Sequence, residues 1–213
     1  MRPLIRPLWH ALGALPLAFA FSVAACGDVE HPSEENTAEI ITTVTLAFTP
    51  SAGGETIAAS FADLDGDGGD DPLVEPIALN HDTAYAMAVV FLNARQLPAQ
   101  DITREIDDES EVHQVFYTGS AVQGPATGAN PTAIARHAYG DTDAYGNPVG
   151  LRNTLQTLDP GTGTLIVTLR HMPPIHGVLP KDEALAEDVV ATDGIAALPG
   201  RTDVSVTFDL TVN

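Results

Sequence analysis

The feature that most constrains this chain is the regular alternation of apolar and polar side chains near its carboxyl end. Residues 203–212 alternate at every position, and similar alternation occurs at residues 43–49 and 164–170. Successive side chains of a β-strand point to opposite faces, so each segment predicts a strand with one buried face. The last strand would bury Val204, Val206, Phe208, Leu210 and Val212 and turn Asp203, Ser205, Thr207, Asp209 and Thr211 outward.

The number and spacing of such segments indicate the fold class. About eight short strands are separated by turns rich in Gly and Pro, and residues 83–92 are apolar on both faces, as in a central strand. We therefore predict an all-β fold, an antiparallel β-sandwich that is immunoglobulin-like or related. Residues 101–111 predict one short acidic helical segment, while residues 140–163 and the proline-rich residues 171–201 predict long loops.

The amino terminus is typical of an export signal. Arg2 and Arg6 precede an apolar run, and small residues lead to Cys26. The letters VAAC at residues 23–26 resemble a bacterial lipobox, which implies cleavage before Cys26 and attachment of lipid there. We therefore expect a signal peptide at residues 1–25, a disordered acidic tether at residues 26–39 and a single domain at residues 40–213.

Charge and cysteine content exclude several functions. The formal net charge is −20, and loss of Arg2 and Arg6 with the signal makes it −20 − 2 = −22. Such a charge argues against binding to nucleic acid or to anionic lipid head groups and suits cations. Cys26 is the only Cys, so the chain can form no internal disulfide and has no thiolate left for catalysis.

An acidic, glycine-rich loop at residues 63–72 predicts a calcium site. Asp63, Asp65 and Asp67 supply oxygen atoms at positions 1, 3 and 5 of the pattern, and Asp71 supplies one at position 9. Position 12 holds Val74 instead of Glu, and the flanking segments predict strands where an EF-hand has helices. The alternative is a tight turn in which the aspartates bind their own backbone.

A second, weaker acidic loop contains Asp141 and Asp143. Its fifth position offers only a backbone carbonyl oxygen or a water as ligand, so a simple turn is the alternative here too. If both loops lay at the same end of the sandwich, they could share one calcium ion. Carboxylates held close together repel one another, so calcium would then stabilise the fold.

Other chemistry has less support in the sequence. The acidic residues 101–111 lie beside His113 and suggest acid/base catalysis by a hydrolase, but the only Trp, Trp9, leaves with the signal, and a solvated acidic surface is favoured. His137, His171 and His176 could bind zinc, although no HxH or HExxH spacing occurs. Neither GxSxG, a P-loop nor GxGxxG is present.

Several stretches carry a resemblance to a known family: SFADLDGDGGDDP, LNHDTAYAMAVVFLN, DITREIDDESEVHQVFYTG, GTLIVTLRH and GRTDVSVTFDLTV. The chain resembles a family of small uncharacterised bacterial lipoproteins sometimes labelled "type 1 periplasmic binding fold superfamily protein". The resemblance implies an exported, lipid-anchored, β-rich domain, and it brings no activity or catalytic residues. Residues 171–201 are longer and richer in proline than the family pattern.

The function we expect is that of a lipid-anchored cell-envelope protein of the outer membrane, without enzymatic activity and stabilised by calcium. It would bind the membrane through its lipid and an envelope protein or small ligand through its loops. A solute- or carbohydrate-binding lipoprotein is the alternative, with Tyr117, Tyr139 and Tyr145 available to line a pocket. A hydrolase using the carboxylates of residues 101–111 is a second alternative.

Overall fold

A computed structural model describes residues 39–66, 69–192 and 194–213, all of which fall in one compact unit. The predicted signal peptide, Cys26 and the tether up to residue 38 lie outside the described residues, as does Asp67. None of the helices in the described ranges is long and apolar enough to cross a membrane.

The described elements are mainly strands, distributed over two sheets. In chain order they are β1 (Thr43–Pro50), β2 (Ile57–Ala62), β3 (Leu73–Val74), β4 (Ile77–Leu79), β5 (Ala84–Asn93), β6 (Gln100–Asp101), α1 (Ile102–Asp108), β7 (His113–Thr118), β8 (Val122–Gln123), β9 (Ala135–Tyr139), β10 (Arg152–Thr157), β11 (Gly161–His171), α2 (Leu185–Ala191), a 3₁₀ turn (Ile195–Ala197) and β12 (Arg201–Val212).

The larger sheet has the strand order β3-β2-β1-β5-β10-β9-β8, with β6 also paired to β5. The smaller sheet has the order β4-β12-β11-β7. Neighbouring strands are antiparallel except for the pairs β8–β9 and β4–β12. The predicted all-β, sandwich-like fold is confirmed.

The core lies between the two sheets and takes its side chains from both. Phe48 and Phe91 come from the larger sheet, and Leu165 and Phe208 come from the smaller one; all four are fully buried. Burial of a side chain of this size contributes roughly 1.5–3 kcal/mol. The alternation predicted for β12 is confirmed from Val206 to the end of the strand, where apolar side chains are buried and most of the intervening ones are exposed.

The expected number of strands holds if short ones are set aside. Eight strands in the described residues have five or more residues, and the other four have two or three. One of the eight, β10, lies within residues 140–163, so the prediction of a continuous loop there was wrong. Two of its three buried side chains, Asn153 and Thr157, are polar, so the strand lacks the apolar alternation that marks the others.

The predicted acidic helix is present as α1, which buries Ile102 and Ile106 and leaves Asp107 and Asp108 exposed. Residues 171–201 form more than a loop. They contain α2 and the 3₁₀ turn, and their apolar side chains form a second, smaller cluster against Phe116 of β7: Met172, Leu185, Ala186, Val189 and Leu198, together with Ala126. The proline-rich segment therefore has its own apolar packing.

A β-bulge near the start of β12 changes the direction of one carboxylate. Leu169 pairs with Val204 and Arg170 pairs with Thr202, so Asp203 is the extra residue between them. Bulges redirect side chains in this way. The Asp203 side chain is inaccessible to solvent, and the prediction that it points outward was wrong.

Candidate metal centre

Two histidines and an arginine lie side by side where three strands of the smaller sheet meet. His171 at the end of β11 pairs with His113 at the start of β7 and with Arg201 at the start of β12. The two imidazole rings have centroids 4.6 Å apart and planes tilted by 34°. Gly200, which has φ +82°, precedes this point, and a Cβ there would collide with the His171 carbonyl oxygen. The close approach therefore requires glycine.

His113 is 1% exposed and has one nitrogen without a hydrogen-bond partner. Its Nδ1 lies 3.1 Å from the Glu109 carbonyl oxygen, which can only accept, so Nδ1 carries the proton. Nε2 then has a lone pair and contacts no donor. Burial lowers the pKa of His113 to about 4, so its ring is neutral at pH 7.

His171 is also 1% exposed, and its Nδ1 accepts a hydrogen bond of 2.7 Å from Arg201 Nη2. A guanidinium can only donate, so Nδ1 of His171 holds the lone pair. The Nε2 atom has no hydrogen-bond partner. Burial, with a contribution from the positive charge of Arg201, lowers the pKa of His171, and this ring too is neutral.

Asp203 completes the group. Its Oδ1 accepts a 3.1 Å hydrogen bond from Arg201 Nε, whereas Oδ2 is buried and has no hydrogen-bond partner. Burial raises the pKa of Asp203, and Arg201 opposes that rise. One ligating atom from each of His113, His171 and Asp203 lies within 4.8 Å of the other two. We call these three residues the His–His–Asp cluster.

Two further carboxylates adjoin the cluster. Ligating atoms of Glu39, Glu109 and His113 also lie within 4.8 Å of one another, so His113 belongs to both groups. Burial raises the pKa of Glu39 to about 7, with further increases from the negative charges of Glu105, Asp203 and Glu109. The concentration of negative charge around two neutral imidazoles favours a bound cation.

Two cavities are lined by residues of the cluster and its neighbours. One of about 340 Å³ is lined by Glu39, Arg95 and Asp203, among others. A second, of about 190 Å³, is lined by Glu109, His171 and neighbouring residues. Asp203 and His171 therefore each line a cavity.

The first predicted calcium loop binds its own backbone. Asp63 Oδ1 accepts a 2.7 Å hydrogen bond from the Gly66 amide, and Asp65 Oδ2 accepts one of 2.7 Å from the Asp70 amide. Asp71 is exposed. These contacts are those of the alternative, a tight acidic turn. A calcium site at residues 63–72 stays a prediction.

The second predicted loop is also held by its aspartates. Asp141 accepts hydrogen bonds from the backbone amides of Gly150 at 2.7 Å and Arg152 at 2.8 Å. Asp143 Oδ1 accepts hydrogen bonds from the backbone amides of Tyr145 and Asn147, both at 2.9 Å. Within the described part of the chain, no group of three ligating His or acidic residues includes an aspartate of either loop.

Asp143 has a cationic partner of its own. Its Oδ2 lies 3.1 Å from Lys181 Nζ, and neither side chain is accessible to solvent. Burial would raise the pKa of Asp143, but the Asn147 amide and the Lys181 ammonium outweigh it and hold that pKa below its usual value. Lys181 Nζ also donates to the carbonyl oxygens of Ser110 at 2.7 Å and His113 at 2.9 Å. The pair thus ties the proline-rich segment to the strand that carries His113.

The histidine set predicted for zinc is not the one that the fold brings together. His171 meets His113, whereas His137 lies on β9 of the larger sheet with its Nε2 3.0 Å from Asn153 Oδ1. His176 is exposed. His137, His171 and His176 form no group within 4.8 Å.

The tyrosines proposed to line a solute pocket lie in different environments. Tyr117 is fully buried and donates to the Gly150 carbonyl oxygen at 2.7 Å, and Tyr139 donates to the Val115 carbonyl oxygen at 3.0 Å. Tyr145 is 70% exposed. Two of the three hydroxyls are therefore committed to the interior of the domain.

The sequence alone does not reveal this cluster, because its members are far apart along the chain. His113, His171 and Asp203 are separated by 57 and 31 intervening residues, and no local spacing connects them. The signal that existed was topological. Both histidines stand at strand ends, and only the pairing of β7 with β11 places them opposite each other.

Comparison of the chain with protein-family models, with curated proteins and with solved structures finds no match.

Proposed function

We propose that this chain is a lipid-anchored, non-enzymatic protein of the bacterial cell envelope that binds a divalent transition metal ion, with zinc as the first candidate. The anchor would be the lipid on Cys26, in the outer membrane, and the ion would bind at the His–His–Asp cluster. Two imidazoles and a carboxylate are ligands typical of Zn²⁺ and related ions, and they differ from the all-oxygen set that calcium prefers.

One observation carries the proposal: the three members of the cluster converge, and each contributes one of three buried polar atoms that have no hydrogen-bond partner. They are Nε2 of His113, Nε2 of His171 and Oδ2 of Asp203. A buried polar atom left unpaired costs about 1–3 kcal/mol, so folded proteins seldom retain three together without a ligand. Metal coordination would satisfy Nε2 of His113 and Oδ2 of Asp203 directly, and Nε2 of His171 once its proton moves to Nδ1. It needs neutral imidazoles, which burial supplies here.

The absence of enzymatic activity is part of the proposal. Ligating atoms of Glu39 and Glu109 lie within 4.8 Å of one of His113, so these carboxylates would be available as further protein ligands. A catalytic zinc site keeps a position open for water or substrate, whereas a shell closed by the protein suits binding or storage of the ion. The exposed carboxylates of α1 suit attraction of cations to this end of the domain.

The test is titration of the full, untagged chain with zinc against a chromophoric chelator. We expect one zinc ion per chain, and at 100 times the dissociation constant zinc should raise the free energy of unfolding by about 2.7 kcal/mol. His171→Asn should weaken zinc binding about a hundredfold or more, because even the loss of an outer partner of a metal ligand weakens binding 10–100-fold.

The matched control is His176→Asn, the same substitution at an exposed histidine five residues along the chain. It should bind zinc as the unmodified chain does. The proposal fails if the unmodified chain takes up no zinc, or if the two variants lose affinity equally.

A further inference from the structure

Arg201 lies against the His–His–Asp cluster. Its guanidinium donates from Nη2 to His171 Nδ1 at 2.7 Å and from Nε to Asp203 Oδ1 at 3.1 Å. One cation therefore bridges two of the three members of the His–His–Asp cluster. The arginine side chain is 29% exposed, while that of Asp203 is inaccessible.

The bridge to His171 is incompatible with metal at either ring nitrogen. An ion on Nδ1 would take the lone pair that accepts from Arg201. An ion on Nε2 requires the proton of the neutral ring to lie on Nδ1, where it would face the N–H of the guanidinium. In both cases the hydrogen bond from Arg201 must break.

Charge points the same way, and the distances suit a metal ion. A guanidinium beside a divalent cation is repelled, and the repulsion is strong where water is excluded. Zinc bonds to nitrogen and oxygen are about 2.0–2.1 Å long, so ligands arranged tetrahedrally lie about 3.3 Å apart. The ligating atoms of the cluster lie within 4.8 Å of one another, which is compatible with such a site.

We propose that Arg201 is a built-in competitor of the metal ion, which bridges His171 and Asp203 in the metal-free protein and swings toward solvent when the ion binds. This inference rests on the metal centre proposed above. The Arg201 side chain is partly exposed and so has a path toward solvent, whereas the three ligands are buried. Competition of this kind lowers affinity and makes the ion exchangeable, which suits delivery or buffering of a metal better than a permanent structural site.

The experiment compares zinc affinities of the full chain and its Arg201→Gln variant. Loss of the charged donor should tighten zinc binding by about ten- to a hundredfold, the range that corresponds to one or two hydrogen bonds to charged groups. Arg136→Gln is the matched control, because it removes the same charge from an exposed position on β9 of the other sheet. Its zinc affinity should stay within about twofold of the unmodified chain, a small effect in the range of screened surface charge.

If Arg201→Gln does not fold, Arg201→Lys serves instead. It retains a positive charge beside Asp203 but lacks the planar fork that bridges two partners, so its zinc affinity should rise severalfold. The inference is overturned if the folded variant binds zinc no more tightly than the unmodified chain while that chain still binds one ion. If neither the unmodified chain nor any variant binds zinc, both this inference and the proposed function fail.

Discussion

Replacement of Lys181 with methionine is expected to lower the free energy of unfolding by about 3–5 kcal/mol. Lys181 and Asp143 form an ion pair whose side chains are both inaccessible to solvent, and the lysine also donates to two main-chain carbonyl oxygens. Removal of one partner leaves the carboxylate of Asp143 buried without a counter-ion. Denaturant unfolding measured by circular dichroism at pH 7 gives the change directly.

The control is Arg152→Met, which breaks the surface pair of Arg152 with Asp107. Those atoms lie 3.4 Å apart, and the side chains are 66% and 53% exposed, so the loss should be about 1 kcal/mol or less. A double variant with Asp143→Asn should be less destabilised than Lys181→Met alone, because no unpaired carboxylate remains. Equal effects of Lys181→Met and Arg152→Met would contradict the account.

The second large effect concerns His137 and acid. His137 is 2% exposed, and the centroid of its ring lies 4.6 Å from that of Tyr117. Its Nε2 forms a hydrogen bond of 3.0 Å with Asn153 Oδ1. Burial lowers its pKa to about 4 from the ordinary 6.5. Between these values the unfolded chain binds a proton that the folded chain does not, so stability is complete above pH 6.5 and falls as pH drops toward 4.

The shift of about 2.5 pH units corresponds to about 3 kcal/mol lost over this window. The measurement is the free energy of unfolding from pH 8 to pH 4, for the unmodified chain and for His137→Gln. The difference at pH 8 isolates the packing effect of the substitution, since the histidine is neutral there in both states. His113 and His171 also have lowered pKa values and add to the decline in both proteins. Identical pH profiles for the two proteins would show that His137 does not contribute.

Period-two alternation predicted the fold because it reports directly on a sheet with one buried face. It located β12, while β5 was located as a segment that is apolar on both faces, and the pair Ile102 and Ile106 located α1. It failed at β10, where Asn153 and Thr157 face inward. Their burial is balanced by hydrogen bonds with Tyr117, Gly150, Asn80 and Thr83, partners that no local pattern reveals.

The candidate site was less accessible to such reasoning. The acidic loops attracted attention because calcium loops have a fixed local spacing. Yet Asp63, Asp65, Asp141 and Asp143 bind backbone amides, and Asp143 also pairs with Lys181. The His–His–Asp cluster depends instead on strand pairing and on a bulge that turns Asp203 inward. Neither the register of β7 against β11 nor the position of a bulge can be read from a single sequence.

The most direct test of the metal centre is anomalous X-ray scattering at the zinc absorption edge from crystals of the full chain grown with zinc and calcium together. The account predicts one zinc peak within coordination distance of His113, His171 and Asp203, with the Arg201 side chain turned away from His171. A zinc peak only at the aspartates of residues 63–71 or 141–143, or no zinc peak in crystals with an ordered domain, would contradict it.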